Sequence, residues 1–86
     1  MALLDLLGRR WAMRVIWELR DGPMTFRELQ ARCGGVSSSV LAQRLAELRE
    51  AGIAGEGNVL TELGSELLVA YEPLGAWAKR WARRRG

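Results

Sequence analysis

The sequence contains no histidine, one cysteine, two prolines, one phenylalanine and one tyrosine. Without histidine it lacks the side chain that titrates near neutral pH and the commonest metal ligand, and Cys33 alone can form no intrachain disulfide. Ser37, Ser38 and Ser39 have no imidazole to activate them as nucleophiles. An enzyme is therefore the poorest reading, and no metal or cofactor is expected. No apolar run approaches the roughly 20 residues of a membrane span. The Leu3, Leu4, Leu6, Leu7 cluster is interrupted by Asp5, with no basic region ahead of it and no cleavage site behind. A cytoplasmic protein without membrane contact is expected.

What is present suits one globular domain over residues 1–86, since 49% of the residues are hydrophobic and 27% charged. A chain this short buries only roughly 60% of its unfolded surface, so burial against a partner would help it. The net charge of +3 is unevenly placed. Residues 1–78 hold eight arginines against ten acids, while Lys79, Arg80, Arg83, Arg84 and Arg85 stand together at the end. Such a tail either reaches phosphates or solubilises and caps a helix terminus.

The most informative stretch runs from Thr25 to Gly52. Thr25 can cap a helix with Glu28 completing a capping box, and Met24 and Leu29 occupy the hydrophobic-staple positions. Phe26, Leu29 and Cys33 share one side, where Cys33 reads as a small buried residue in preference to a redox switch. Gly34 and Gly35 then supply a tight reversal. Ser37 caps the second helix, with Val36 and Leu41 as its staple, and Gly52 and Ile53 form a Schellman-type stop. Leu41, Leu45 and Leu48 point inward. Ser39, Gln43, Ala46 and Glu50 point outward, with Ser38, Ala42, Arg44 and Glu47 on the flanks. The small polar face suits a DNA groove, and Gln43 can offer a bidentate amide to adenine. The same pattern also describes an ordinary capped helix with a solvated outer face.

Before this pair a helix from about Arg9 to Arg20 carries Trp11, Val15 and Leu19, with Ala12 and Ile16, as its core stripe. Met13 and Trp17 lie opposite, either as a contact surface or beneath the chain's own terminal helix. After Gly52, residues 53–60 read as a minimal β-hairpin, and Thr61 caps a helix running to about 85. Its apolar positions Leu63, Leu67, Ala70, Leu74, Trp77 and Trp81 step by four and three. Pro73 should kink or break it near Tyr71 and Glu72. Trp77 and Trp81 are expected to pack across a two-fold axis, with packing on the same chain as the alternative.

In this order the segments resemble the winged-helix regulators of the HxlR type, relatives of the MarR group. Leu7-Gly8-Arg9-Arg10-Trp11, Asp21-Gly22-Pro23, Phe26-Arg27-Glu28-Leu29, Gly35-Val36-Ser37, Leu41-Ala42-Gln43-Arg44-Leu45-Ala46-Glu47-Leu48 and Leu60-Thr61-Glu62-Leu63-Gly64 carry the likeness, with Trp77 in the last helix. It covers nearly the whole chain. It implies a mainly α fold, a winged helix-turn-helix with a minimal two-stranded wing and a C-terminal dimerisation helix. It further implies a homodimeric bacterial transcriptional regulator at the nucleoid, with residues 37–51 in the major groove of double-stranded DNA. The readers of such a dimer would stand about 34 Å apart on a pseudo-palindromic operator.

Two departures follow. The family's cysteine ahead of the first helix has no counterpart here, and Cys33 should not inherit its role. The wing is cut to Ala54 through Val59, carrying Glu56 and no cation, so it should lose contacts to the minor groove or its phosphates. Thr25, Arg27, Arg32, Ser37, Ser38, Ser39, Gln43 and Arg44 are the expected DNA-binding residues, with Arg49 and the arginine tail as further substitutes. For Arg44 an ion pair with Glu28 or Glu47 is an equal expectation. Met13, Trp17, Leu74, Trp77 and Trp81 are the expected dimer surface. The chief rival function is a winged-helix module for protein contact, in which Glu47, Glu50 and Glu56 deter DNA.

Overall fold

Leucines at helical spacing open the structure. The computed structural model describes residues 2–86. Helix α1, Leu3–Leu7, buries only Leu6 and closes at Gly8, whose N–H donates to the Leu4 carbonyl at 3.0 Å. The expected helix from Arg9 starts later, as α2, Ala12–Glu18, because Trp11 caps it in the left-handed region at φ 75°. Its last turn tightens into a 3-10 segment, Leu19–Asp21, before Gly22 and Pro23.

Helices α3, Phe26–Cys33, and α4, Ser38–Glu50, follow with the expected ends. Strands β1, Ala54–Gly55, and β2, Val59–Leu60, pair antiparallel in the register Ala54 with Leu60 and Gly55 with Val59. Helix α5, Glu62–Arg85, then extends from the hairpin. Val15, Ile16, Leu19, Leu29, Leu41, Leu45 and Leu48 form a core with at most 1% exposure, to which Leu6, Ile53 and Ala54 are added. Cys33 lies in this core, and burial pushes its thiol above its ordinary value of 9.0. It is a packed apolar side chain at neutral pH.

The start of α5 is fixed by a close approach. Gly64 is buried, and a Cβ there would overlap the Ile53 carbonyl. Thr61 accepts from the Gly64 N–H at 3.1 Å while its hydroxyl hydrogen-bonds back to residues 52 and 53. Pro73 does not break α5, contrary to one of the two outcomes expected of it. The ring stands on an exposed side and removes one backbone donor, and the turns before and after it keep theirs. Among the described residues no helix is long and apolar enough to cross a membrane.

Candidate nucleic-acid interface

The geometry of α3 and α4 is set by short-range hydrogen bonds at every end. Thr25 Oγ1 accepts from the Glu28 N–H at 3.0 Å, and Glu28 Oε1 accepts from the Thr25 N–H at 3.0 Å. The bond from the Thr25 N–H, then that from the Thr25 hydroxyl and the Arg32 charge, hold the Glu28 carboxyl below its ordinary value of 4.5. Gly34 at φ 64° and Gly35 at φ 117° turn the chain, and Gln30 Nε2 donates to the Val36 carbonyl at 3.2 Å across the turn. The Trp11 indole lies over this turn, 4.0 Å from where a Cβ on Gly35 would stand. Ser37 Oγ accepts from the Val40 N–H at 3.2 Å. At the far end Gly52 N–H donates to the Arg49 carbonyl and Ile53 N–H to that of Leu48, which completes the Schellman motif.

With Leu41, Leu45 and Leu48 fixed inward, Ser38, Ser39, Ala42, Gln43, Ala46 and Glu50 are exposed. The Gln43 carboxamide and the Ser38 hydroxyl make no hydrogen bond to the protein among the described residues, and Ser39 has only a 3.4 Å contact to Ser37 Oγ. Both the Nε2 donor and the Oε1 acceptor of the Gln43 amide are therefore available to a base edge. Thr25, Arg27 and Ser37 are each exposed at or near a helix N-terminus, where amides and hydroxyls suit phosphate oxygens. Arg27 has no salt-bridge partner among the described residues.

Arg44 is different, because its guanidinium is held by its own chain. Its side chain is 12% exposed; Nη1 donates to Glu47 at 2.6 Å and Nε to the Arg10 carbonyl at 2.9 Å. Glu47 also meets Arg9 at 3.5 Å, so this guanidinium ties α4 to the segment before α2. Of the two expectations for Arg44, the ion pair with Glu47 is the one the geometry realises. Arg32 remains half exposed but donates to Asp21 at 2.9 Å and stands 3.9 Å from Glu18. Glu18 escaped the sequence reading. It is 9% exposed and is neutralised by Arg14 at 2.9 Å, whose other end reaches the Arg32 carbonyl at 2.8 Å. The spacing of Arg14 and Glu18, four apart on one helix, was the available signal.

The residues expected at a dimer surface fall into two groups instead of one. Met13 packs on the core, and with Trp17 it lines an open groove of about 1210 Å³ against Leu68, Tyr71 and Ala76 of α5. Arg20 covers one face of Trp17, its guanidinium carbon 3.8 Å from the ring centroid. Leu74, Trp77 and Trp81 project from another face of α5 and are about half exposed, at 57%, 52% and 47%. A helix turns 100° per residue, so positions 72, 76 and 79 cannot share the stripe of 74, 77 and 81. The alternative of packing Trp77 and Trp81 onto their own chain is not what the structure does.

The comparisons with known proteins agree with this architecture. Residues 6–85 match the family described as HxlR-like helix-turn-helix. The chain is 34% identical to the HTH-type transcriptional regulator YodB of Bacillus subtilis, over 90% of this chain and 78% of that protein. It is 27% identical to YvaP of the same organism, an uncharacterized HTH-type transcriptional regulator, over 91% and 82% of the two chains. The crystal structure of quinone-bound YodB superposes with a TM-score of 0.82 at 36% identity, covering 90% of this chain and 91% of that one. A possible HxlR family transcriptional factor from Thermoplasma volcanium superposes with a TM-score of 0.80 at 26% identity, over 96% and 84% of the two chains. The order of motifs, the capped α3 and α4 and the two-stranded hairpin thus have one common explanation: the chain belongs to the HxlR-like helix-turn-helix family of transcriptional regulators.

Proposed function

We propose that the chain regulates transcription as a homodimer that lays α4 of each protomer into the major groove of double-stranded DNA. The observation that carries this reading is the bare face of α4, where Ser38, Ser39 and Gln43 are exposed opposite three fully packed leucines. Gln43 is the base reader, offering its amide to adenine, and Ser38 and Ser39 reach bases or phosphates. Thr25, Arg27, Ser37 and the more weakly placed Arg32 hold the backbone. Arg44 serves as a positioning residue, through Glu47 and the Arg10 carbonyl.

Two-fold pairing is supported by Leu74, Trp77 and Trp81, which leave large apolar areas in water. Burying one such tryptophan contributes about 3 kcal/mol, more than a short chain can readily forgo. Met13 and Trp17 offer a second apolar surface on α2. Regulation of this kind takes place in the cytoplasm, at the nucleoid, and requires no cofactor.

Selection from a random duplex library at two salt concentrations tests the reading. Enrichment of a pseudo-palindrome, together with affinity that falls steeply with salt, is expected. No enrichment and no salt dependence would transfer the fold to protein contact, the role that exposed Glu50 and Glu56 would favour.

A further inference from the structure

The shortened hairpin does not stand away from the body. It lies against the 3-10 segment Leu19–Asp21, and the Thr61 hydroxyl binds its exit to the carbonyls of Gly52 and Ile53. Its turn holds Asn58 at φ 56°, a left-handed conformation that asparagine tolerates better than most residues with a side chain. The Asn58 carboxamide points inward. Nδ2 donates to the Met24 carbonyl at 3.0 Å, and Oδ1 accepts from Arg49 Nη2 at 2.9 Å. Met24 immediately precedes the Thr25 cap of α3, and Arg49 belongs to the last turn of α4. One amide group therefore joins the start of the supporting helix, the end of the reading helix and the hairpin itself. The exposed tip consists of Glu56 and Gly57, an acid and a bare backbone, neither of which neutralises a phosphate.

We infer that the 54–60 hairpin is an internal brace that fixes the angle between α3 and α4, not a groove probe, and that Asn58 is a positioning residue for the reading helix. The inference deepens the DNA-reading proposal and rests on it. A carboxamide is required because it donates and accepts at once. A carboxylate of the same shape would keep Arg49 but would aim lone pairs at the Met24 carbonyl. The brace also engages Arg49, which sequence reasoning offered to phosphates. The resulting footprint is confined to the major grooves, with no base preference in the minor groove flanking each half-site.

The test uses the full chain and the duplex that the unmodified protein selects from a random library. Asn58→Asp should lower the ratio of affinities for selected and random duplex about five- to tenfold, the effect of leaving a partly buried acceptor opposed. Partial unfolding scales both affinities alike and cancels in that ratio, so a role in stability alone leaves it unmoved. Glu56→Lys should leave the salt slope unchanged, because the tip does not reach the backbone. An unchanged ratio for Asn58→Asp, or a slope steeper by about one for Glu56→Lys, overturns the brace. If the unmodified protein selects no duplex, it is the DNA-reading proposal that fails, and hydrogen exchange then decides the brace separately. Loss of protection at both the Leu29 and Ala51 amides in Asn58→Asp supports it; loss confined to residues 54–60 overturns it.

Discussion

Helix α4 and the far half of α5 both present bare faces, and the faces differ in the properties that determine what covers them. That of α4 is made of serines, alanines and Gln43, and the helix beneath it is complete, with both ends bonded and its leucines at 1% exposure or less. That of α5 is made of Leu74, Trp77 and Trp81, about half exposed, with no core of its own beneath them. A small polar face on a finished helix loses little by staying in water, so it can wait for a polar ligand. A large apolar face on an unfinished helix is stabilised by a partner. On the proposed reading the chain separates DNA contact from self-association, and the near end of α5, locked at Gly64 against the Ile53 carbonyl, is the joint between them.

Breaking that joint should have the largest effect. Gly64→Ala forces a methyl group into the Ile53 carbonyl and should destabilise the fold by about 3 kcal/mol or more, measured by urea denaturation. The assembly face is the next to test. Trp77→Glu with Trp81→Glu should weaken self-association at least about 100-fold by sedimentation while leaving the monomer folded, because neither side chain contributes to the core. Loss of the fold in that variant would mean that the face is not free.

The reading face is sharpened by Gln43→Ala, which should relax preference at one base position of each half-site by about 1–3 kcal/mol, whereas Arg27→Ala should weaken all duplexes and reduce the salt slope by about one. Equal losses on selected and random duplex for both variants would merge the two roles. The smallest effect is that of acid. The Glu28 carboxyl is held below its ordinary value in the folded state, so its contribution to stability is complete above that value and is lost as pH falls through the lowered one. Glu28→Gln should slightly flatten the part of an acid-denaturation curve below the ordinary carboxylate value.

Much of this was legible because it is written locally. The caps at Thr25, Ser37 and Thr61, the Gly34-Gly35 reversal and the Leu48 to Ile53 stop each depend on residues within six positions of one another, and all formed where the spacing put them. What was missed depends on distance along the chain. The bonds from Arg44 to the Arg10 carbonyl and from Asn58 to the Met24 carbonyl each span 34 positions, a separation at which periodicity carries no signal. Trp11 in a left-handed conformation delayed the expected start of α2, since an intrinsic pattern of apolar residues reports a helix's face and not the geometry of its cap. Helix α1 carries no such local signal, since Ala2 offers no side-chain cap and only Leu6 of its leucines is buried. Trp17 and Trp77 are alike in size and polarity, and only the path of α5 across α2 separates their surfaces.

The central claim is that the outward face of α4 reads duplex DNA and is duplicated by symmetry. The most direct test is to run the library selection side by side with the unmodified protein and with Gln43→Ala, and to compare the enriched sites base by base. The account predicts a two-fold repeated site in which one position in each half relaxes, both together, with the spacing of the halves unchanged. Relaxation at no position, or an enriched site with no repeated half, would contradict it.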